Sequence, residues 1–118
     1  MTENRNIIFE LGGMLFEYDE EKNKTNIEKH GISFKIAARV FFDYNRIEIF
    51  DENNSKNEER YDTIGNIQAG NICNDDILFV VYTERVKTVK NNEKVDVIRI
   101  ISARFATNAE RRIYYGND

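Results

Sequence analysis

The stretch from Val95 to Arg104, Val-Asp-Val-Ile-Arg-Ile-Ile-Ser-Ala-Arg, constrains the fold most. Its body is β-branched and apolar, the composition of a sheet strand. Strict alternation sets Ile98, Ile100, Ser102 and Arg104 on one face, and Val97, Arg99 and Ile101 on the other. The first face thus starts apolar and ends in a hydroxyl and a guanidinium. Such a pair on rigid backbone suits a phosphate oxygen. A strand-end arginine in an ordinary salt bridge is the competing reading.

The elements before it follow from local pattern. Two apolar runs, Ile7–Leu11 and Met14–Tyr18, flank Gly12-Gly13 and predict a β-hairpin. Asp19 predicts an N-cap, Glu20 and Glu21 a first turn favoured by the dipole, and Gly31 a stop after His30. This helix is polar almost all round. Asn23, Ile27 and His30 share one side, and Lys22, Asn26 and Lys29 the next. Such a helix packs weakly or offers its polar side as a surface. Ser33 opens a second helix, whose Phe34, Ala37, Ala38, Phe41 and Phe42 form a core-facing stripe through Phe42.

Four strands follow: 46–50, 59–67, 77–83 and the opening stretch. A polar loop fills 51–58, and the lysine-rich 86–94 reads as a hairpin tip. Thr107 and Glu110 make a capping box for a short helix through Tyr115. The expected fold is α+β: an antiparallel meander of about four strands plus the N-terminal hairpin, two helices on one face, and a short C-terminal helix. The other face is expected to be partly open. The 118 residues suit one domain over residues 1–118.

Composition removes several classes. No apolar run reaches a membrane-spanning length, and the N-terminus lacks the order of a signal peptide, so a cytoplasmic address is expected. The single Cys73, in a predicted turn without basic neighbours, gives no disulfide, no cysteine-built zinc site and no evident nucleophile. Asp75-Asp76 reads as a solvated turn, and neither a metal nor another cofactor is expected. The net charge of −4 opposes general polyanion binding. The charge is uneven, however: residues 84–118 carry 8 Lys+Arg against 5 Asp+Glu. A polyanion would meet the C-terminal third first.

The polar inventory is arginine, serine, threonine, lysine and one histidine. Arg60, Thr83 with Arg85, and Ser102 with Arg104 stand at strand ends. A metal-free, cation-rich set suits RNA cleavage, because RNA supplies its own 2′-hydroxyl nucleophile. His30 is a candidate acid–base group, because an imidazole is the side chain type suited to proton transfer near neutral pH. As the last residue of a helix it also favours the dipole with no chemistry at all.

Several segments together resemble the BrnT toxin family: Phe16-Glu-Tyr-Asp, Lys29-His-Gly-Ile-Ser-Phe, Glu59-Arg-Tyr, Thr83-Glu-Arg, Arg99-Ile-Ile-Ser-Ala-Arg-Phe-Ala and Glu110-Arg-Arg-Ile-Tyr-Tyr. The resemblance implies a RelE-like ribonuclease toxin of a type II toxin–antitoxin pair. Its implied partner is a BrnA-like antitoxin with a ribbon-helix-helix DNA-binding part, and DNA is reached only through that antitoxin. It implies a phosphate-handling set of Lys29, His30, Arg60, Thr83, Arg85, Ser102 and Arg104. Lys22, Asn26, Arg99, Arg111 and Arg112 complete the expected RNA contacts. The acidic balance motivates the alternative of an inactive toxin-like module serving as antitoxin partner and co-repressor. Tyr114, Tyr115 and Phe105 are candidates for an apolar groove, or else for the core.

Overall fold

The computed structural model describes residues 5–67 and 76–116. The readings of Cys73 and Asp75 concern positions outside these. Among the described residues the strands are β1 (Asn6–Leu11), β2 (Met14–Asp19), β3 (Ile47–Phe50), β4 (Tyr61–Asn66), β5 (Ile77–Thr88) and β6 (Lys94–Phe105). They form one sheet in the order β1–β2–β6–β5–β4–β3.

The N-terminal hairpin turns at Gly12 and Gly13, with φ of 57° and 84°. Two successive positive φ angles match the twist of the flanking strands, and glycine takes them without strain. The hairpin is not separate from the meander. β2 runs parallel to β6, with Leu15 opposite Val97 and Glu17 opposite Arg99. The expected four-stranded sheet is therefore one mixed sheet of six. An isolated hairpin is marginal in water, and β6 would otherwise present an unpaired edge. Docking β2 solves both and puts Phe16 and Tyr18 in the core.

β5 and β6 pair as far as Thr88 and Lys94. Most of 86–94, expected as a tip, is therefore strand. The reversal is confined to the residues around Asn91 and Asn92, which adopt φ of 67° and 61°. Further along, Val81 lies opposite Ser102 but Tyr82 opposite Ile100, which leaves Ile101 as an extra residue. This bulge inverts the alternation. Ile98, Ile100 and then Ala103 face the core. Ser102 and Arg104 leave the face of Ile98 and Ile100 and join that of Arg99, contrary to the uninterrupted pattern.

Helix α1 (Glu20–His30) starts at Asp19, whose side chain accepts from Lys22 N, and ends at Gly31. Its buried residues are Asn23 and Asn26, while Ile27 is 43% exposed. Asn26 sits beside β6 beyond the end of the β2 pairing. Its Nδ2 donates to Ala103 O at 2.8 Å and Ile32 O at 2.9 Å, and its Oδ1 accepts from Ala103 N at 3.2 Å. One amide thus takes the place of a missing strand neighbour. Asn23 Oδ1 accepts from Phe34 N and holds the start of the next helix. The polar helix docks by hydrogen bonds rather than by an apolar stripe.

Helix α2 (Phe34–Ala37) is shorter than expected and continues as a 3-10 turn, Ala38–Phe42. The stripe still packs: Phe34, Ala37, Ala38 and Phe41 are buried. The turn brings Val40 against β4 at Gly65, where an added Cβ would lie 2.9 Å from Val40 Cβ. Helix α3 (Asn108–Tyr115) lies on the opposite face of the sheet, beside β4, with the capping box of Thr107 and Glu110 formed. Tyr114 ties it down by donating to Asp43 Oδ2 at 2.5 Å. Phe105 and Tyr115 are half exposed. No helix among the described residues is long and apolar enough to cross a membrane.

Candidate functional site

The face opposite the core gathers the strand-borne cations in register rows. Thr83 pairs with Arg99, and Arg99 with Glu17. Thr83 is buried, and its Oγ1 donates to Glu59 O at 2.6 Å, which sets Arg60 alongside. Arg85 stands one row further, opposite Val97. Arg60 and Arg85 line one concavity of about 660 Å³ with loop 53–58. Arg60 Nε is buried without a hydrogen-bond partner among the described residues.

Glu17 anchors this region. Its carboxylate is fully buried, and Arg85 (3.6 Å), Arg99 (3.1 Å) and Lys87 surround it. Asn6 donates to Glu17 Oε1 and accepts from Arg99 Nη1 at 2.6 Å. Burial pushes the Glu17 carboxyl up, but Lys87, Asn6 and Arg99 outweigh it and hold the group below its ordinary value. Arg85 also reaches Glu58 at 3.2 Å. The arginines therefore stand in fixed positions, not as free surface charges.

Arg104 is on the same face but further along. It pairs with Phe79, six residues from Arg85 on β5, which is about 20 Å of strand. Its guanidinium lies 4.3 Å over the Phe79 ring and grips Glu110 with two nitrogens, at 2.7 and 2.9 Å. The Arg104 pairing holds the Glu110 carboxyl low and the guanidinium's own value high. Asp62, on β4 opposite Val81, lies toward this end. Burial and the neighbouring Asp51 push its carboxyl up to about 6, against the pull of Arg104.

Lys22, Asn26, Lys29, His30 and Ser102 line a different groove of about 320 Å³ between α1 and the β6 bulge. Lys22, Lys29, His30 and Ser102 are exposed there. The Asn26 amide is spent on β6 and Ile32, as above. Arg112 is exposed on α3, and Arg111 is half buried. The residues singled out in the sequence thus fall into four places: the Arg60–Thr83–Arg85–Arg99 rows, the Arg104–Glu110 pair, the α1 groove, and the α3 surface with Arg111 and Arg112.

Sequence reasoning passed over Glu17, Lys87, Asp62 and the tie between Glu110 and Arg104. A carboxylate inside an apolar hairpin strand was the available signal for Glu17. Nothing local marks Asp62, whose surroundings come from β3, β5 and α3. No curated protein matches the chain. The sequence model of the family described as ribonuclease toxin, BrnT, of type II toxin–antitoxin system matches residues 18–110, and the chain belongs to that family.

Proposed function

We propose that the chain, as a single RelE-like domain over residues 1–118, is a metal-independent endoribonuclease of the cytoplasm. It cleaves RNA by attack of the 2′-hydroxyl and leaves a 5′-hydroxyl and a 2′,3′-cyclic or 3′ phosphate. Its cleavage of RNA inhibits translation and growth. The observation that carries the reading is the concavity shared by Arg60 and Arg85, with Thr83 buried beside them. Arg60 makes no ion pair among the described residues, so its charge is available to an incoming phosphodiester. Arg85 and Arg99 extend the cationic surface, and Arg104 marks its other end. Lys22, Lys29, His30 and Ser102 form a second groove for the flanking strand. Fixed cations at a phosphorane are worth about 100–1000-fold in rate each. Neutralisation falls to a BrnA-like antitoxin with a ribbon-helix-helix part, and the complex represses its own operon.

The test uses the purified chain and a random-sequence single-stranded RNA in EDTA. Cleavage with 5′-hydroxyl and 2′,3′-cyclic or 3′ phosphate ends is expected, and EDTA-sensitive cleavage would refute metal independence. Arg60→Ala is expected to abolish growth arrest in cells while leaving the melting transition unchanged.

One observation favours the alternative of an inactive partner module. Arg85, Arg99 and Arg104 each already hold a carboxylate. That reading expects normal growth and intact RNA when the chain is expressed alone.

A further inference from the structure

Helix α3 does more than cover the sheet. Glu110 accepts from Thr107 N at 2.9 Å, which closes the capping box. The same carboxylate holds the Nη1 and Nη2 end of Arg104, at 2.7 and 2.9 Å. Arg104 Nη1 also donates to Phe105 O at 3.2 Å. One face of the guanidinium rests on Phe79, 4.3 Å from the ring centroid. A planar group with its end, one flank and one face engaged cannot turn. A guanidinium has five N–H donors, and three are used here. The remaining two, Nε–H and the second Nη2–H, share one edge and make no hydrogen bond among the described residues, although the Asp62 carboxylate is near enough to act on the guanidinium by its charge. Two parallel donors on one edge fit two oxygens of a phosphodiester.

We propose that Glu110 is a positioning residue for RNA cleavage, which with Phe79 aims the Nε edge of Arg104 at a substrate phosphate. The inference rests on the ribonuclease reading above. It adds which edge of Arg104 works and what holds it. Glu110 forms no bond to the substrate. Its contribution is to fix Arg104 before RNA arrives, so that binding does not have to order a long side chain.

A purely structural Glu110, needed only to cap α3, makes a different set of predictions. Glutamine also serves at this position of a capping box, through its side-chain oxygen. It cannot hold both nitrogens of Arg104, because its amide NH2 opposes one of them. Glu110→Gln therefore keeps the cap and breaks the grip. Thr107→Ala does the reverse: it removes half of the cap and leaves the Glu110–Arg104 pair. Each protein would be mixed in excess with a random-sequence single-stranded RNA, and the single-turnover cleavage rate and melting temperature recorded.

The expected result is a rate lower by about 10–100-fold for Glu110→Gln with melting close to the parent. Thr107→Ala should melt earlier and cleave at the parent rate. Arg104→Lys, which keeps the charge but lacks the two-donor edge, should be at least as impaired as Glu110→Gln. A Glu110→Gln protein as fast as the parent beside an inactive Arg104→Ala overturns the inference and leaves the ribonuclease reading standing. Full activity in Arg104→Lys overturns it equally, whatever Glu110→Gln does to folding. A parent chain that leaves the RNA intact overturns the ribonuclease reading, and the inference falls with it.

Discussion

Replacing Asp62 by asparagine should stabilise the protein at neutral pH and do nothing in acid. Asp62 Oδ1 is buried with no hydrogen-bond partner among the described residues, and Asp51 adds a second carboxylate nearby. Burial and Asp51 raise its value from 3.8 to about 6. The folded state therefore grips this proton more tightly than the unfolded chain does. The stability associated with it is fully present below the unfolded value and is lost as pH rises through about 6. At 1.36 kcal/mol per unit, the full shift corresponds to about 3 kcal/mol. The side chain is not sealed from water, so about 1–2 kcal/mol is the expected share. Asparagine has the same shape and no charge to bury, and its NH2 can donate to Asp51. Urea unfolding followed by far-UV circular dichroism should show Asp62→Asn more stable than the parent by about 1–2 kcal/mol near pH 7.5, with the curves converging near pH 4. Equal stability near pH 7.5 would refute the argument. So would an advantage that persists undiminished in acid, since it could not come from ionisation.

Glu17 should behave with the opposite sign. Its folded value is depressed, so its contribution is present above about 4.5 and is lost as pH falls further. Glu17→Gln should cost about 1–3 kcal/mol at neutral pH, measured by the same unfolding experiment, and much less in acid, once the folded-state carboxyl is protonated. Arg85 is 40% exposed and Lys87 34%, so both can return to water, which keeps the cost below that of a sealed ion pair. Asn26→Ala deletes three hydrogen bonds to buried backbone and should destabilise by about 2–4 kcal/mol, with early amide exchange at Ala103. Gly65→Ala should cost about 1–3 kcal/mol in melting experiments, because the new methyl meets Val40 Cβ at 2.9 Å and Val40 O at 3.2 Å.

What could be read from the chain alone was whatever short-range chemistry decides. Asp19 and Gly31 bound α1, Ser33 opens α2, and Thr107 with Glu110 starts α3, because a cap needs only its own neighbours. The Gly12-Gly13 turn and the Phe34–Phe41 stripe belong to the same kind. The parallel pairing of β2 with β6 joins residues about eighty positions apart, and no local pattern encodes it. The bulge at Ile101 is a harder case. One extra residue sends every later side chain to the opposite face, so a correct strand with correct alternation still gave Arg104 the wrong neighbours. The buried asparagines of α1 were hidden for another reason. Periodicity finds apolar faces, and this helix docks with a polar one.

The same long-range pairings resolve the tension between an acidic chain and an anionic substrate. The excess of positive charge in residues 84–118 becomes spatial once β5, β6 and α3 come together. Arg85, Lys87, Arg99 and Arg104 all project from the face opposite the core, with Arg60 joining from the start of β4. Glu58 and Glu110 offset part of the charge of Arg85 and Arg104, but Glu17 is not simple cancellation. Glu17 is fully buried, so its field is spent on the cations around it, whereas those cations keep part of their surface in water. At physiological salt, charges interact over about 8 Å, so a phosphate at this face responds to the guanidinium rows and scarcely to acidic residues across the molecule. This makes a specific claim on Glu17. If it serves to hold Arg85 and Arg99 in place, Glu17→Gln should weaken RNA binding even though it removes a negative charge. Tighter binding by Glu17→Gln in a filter-binding assay would mean that net charge, not the fixed geometry, governs the encounter.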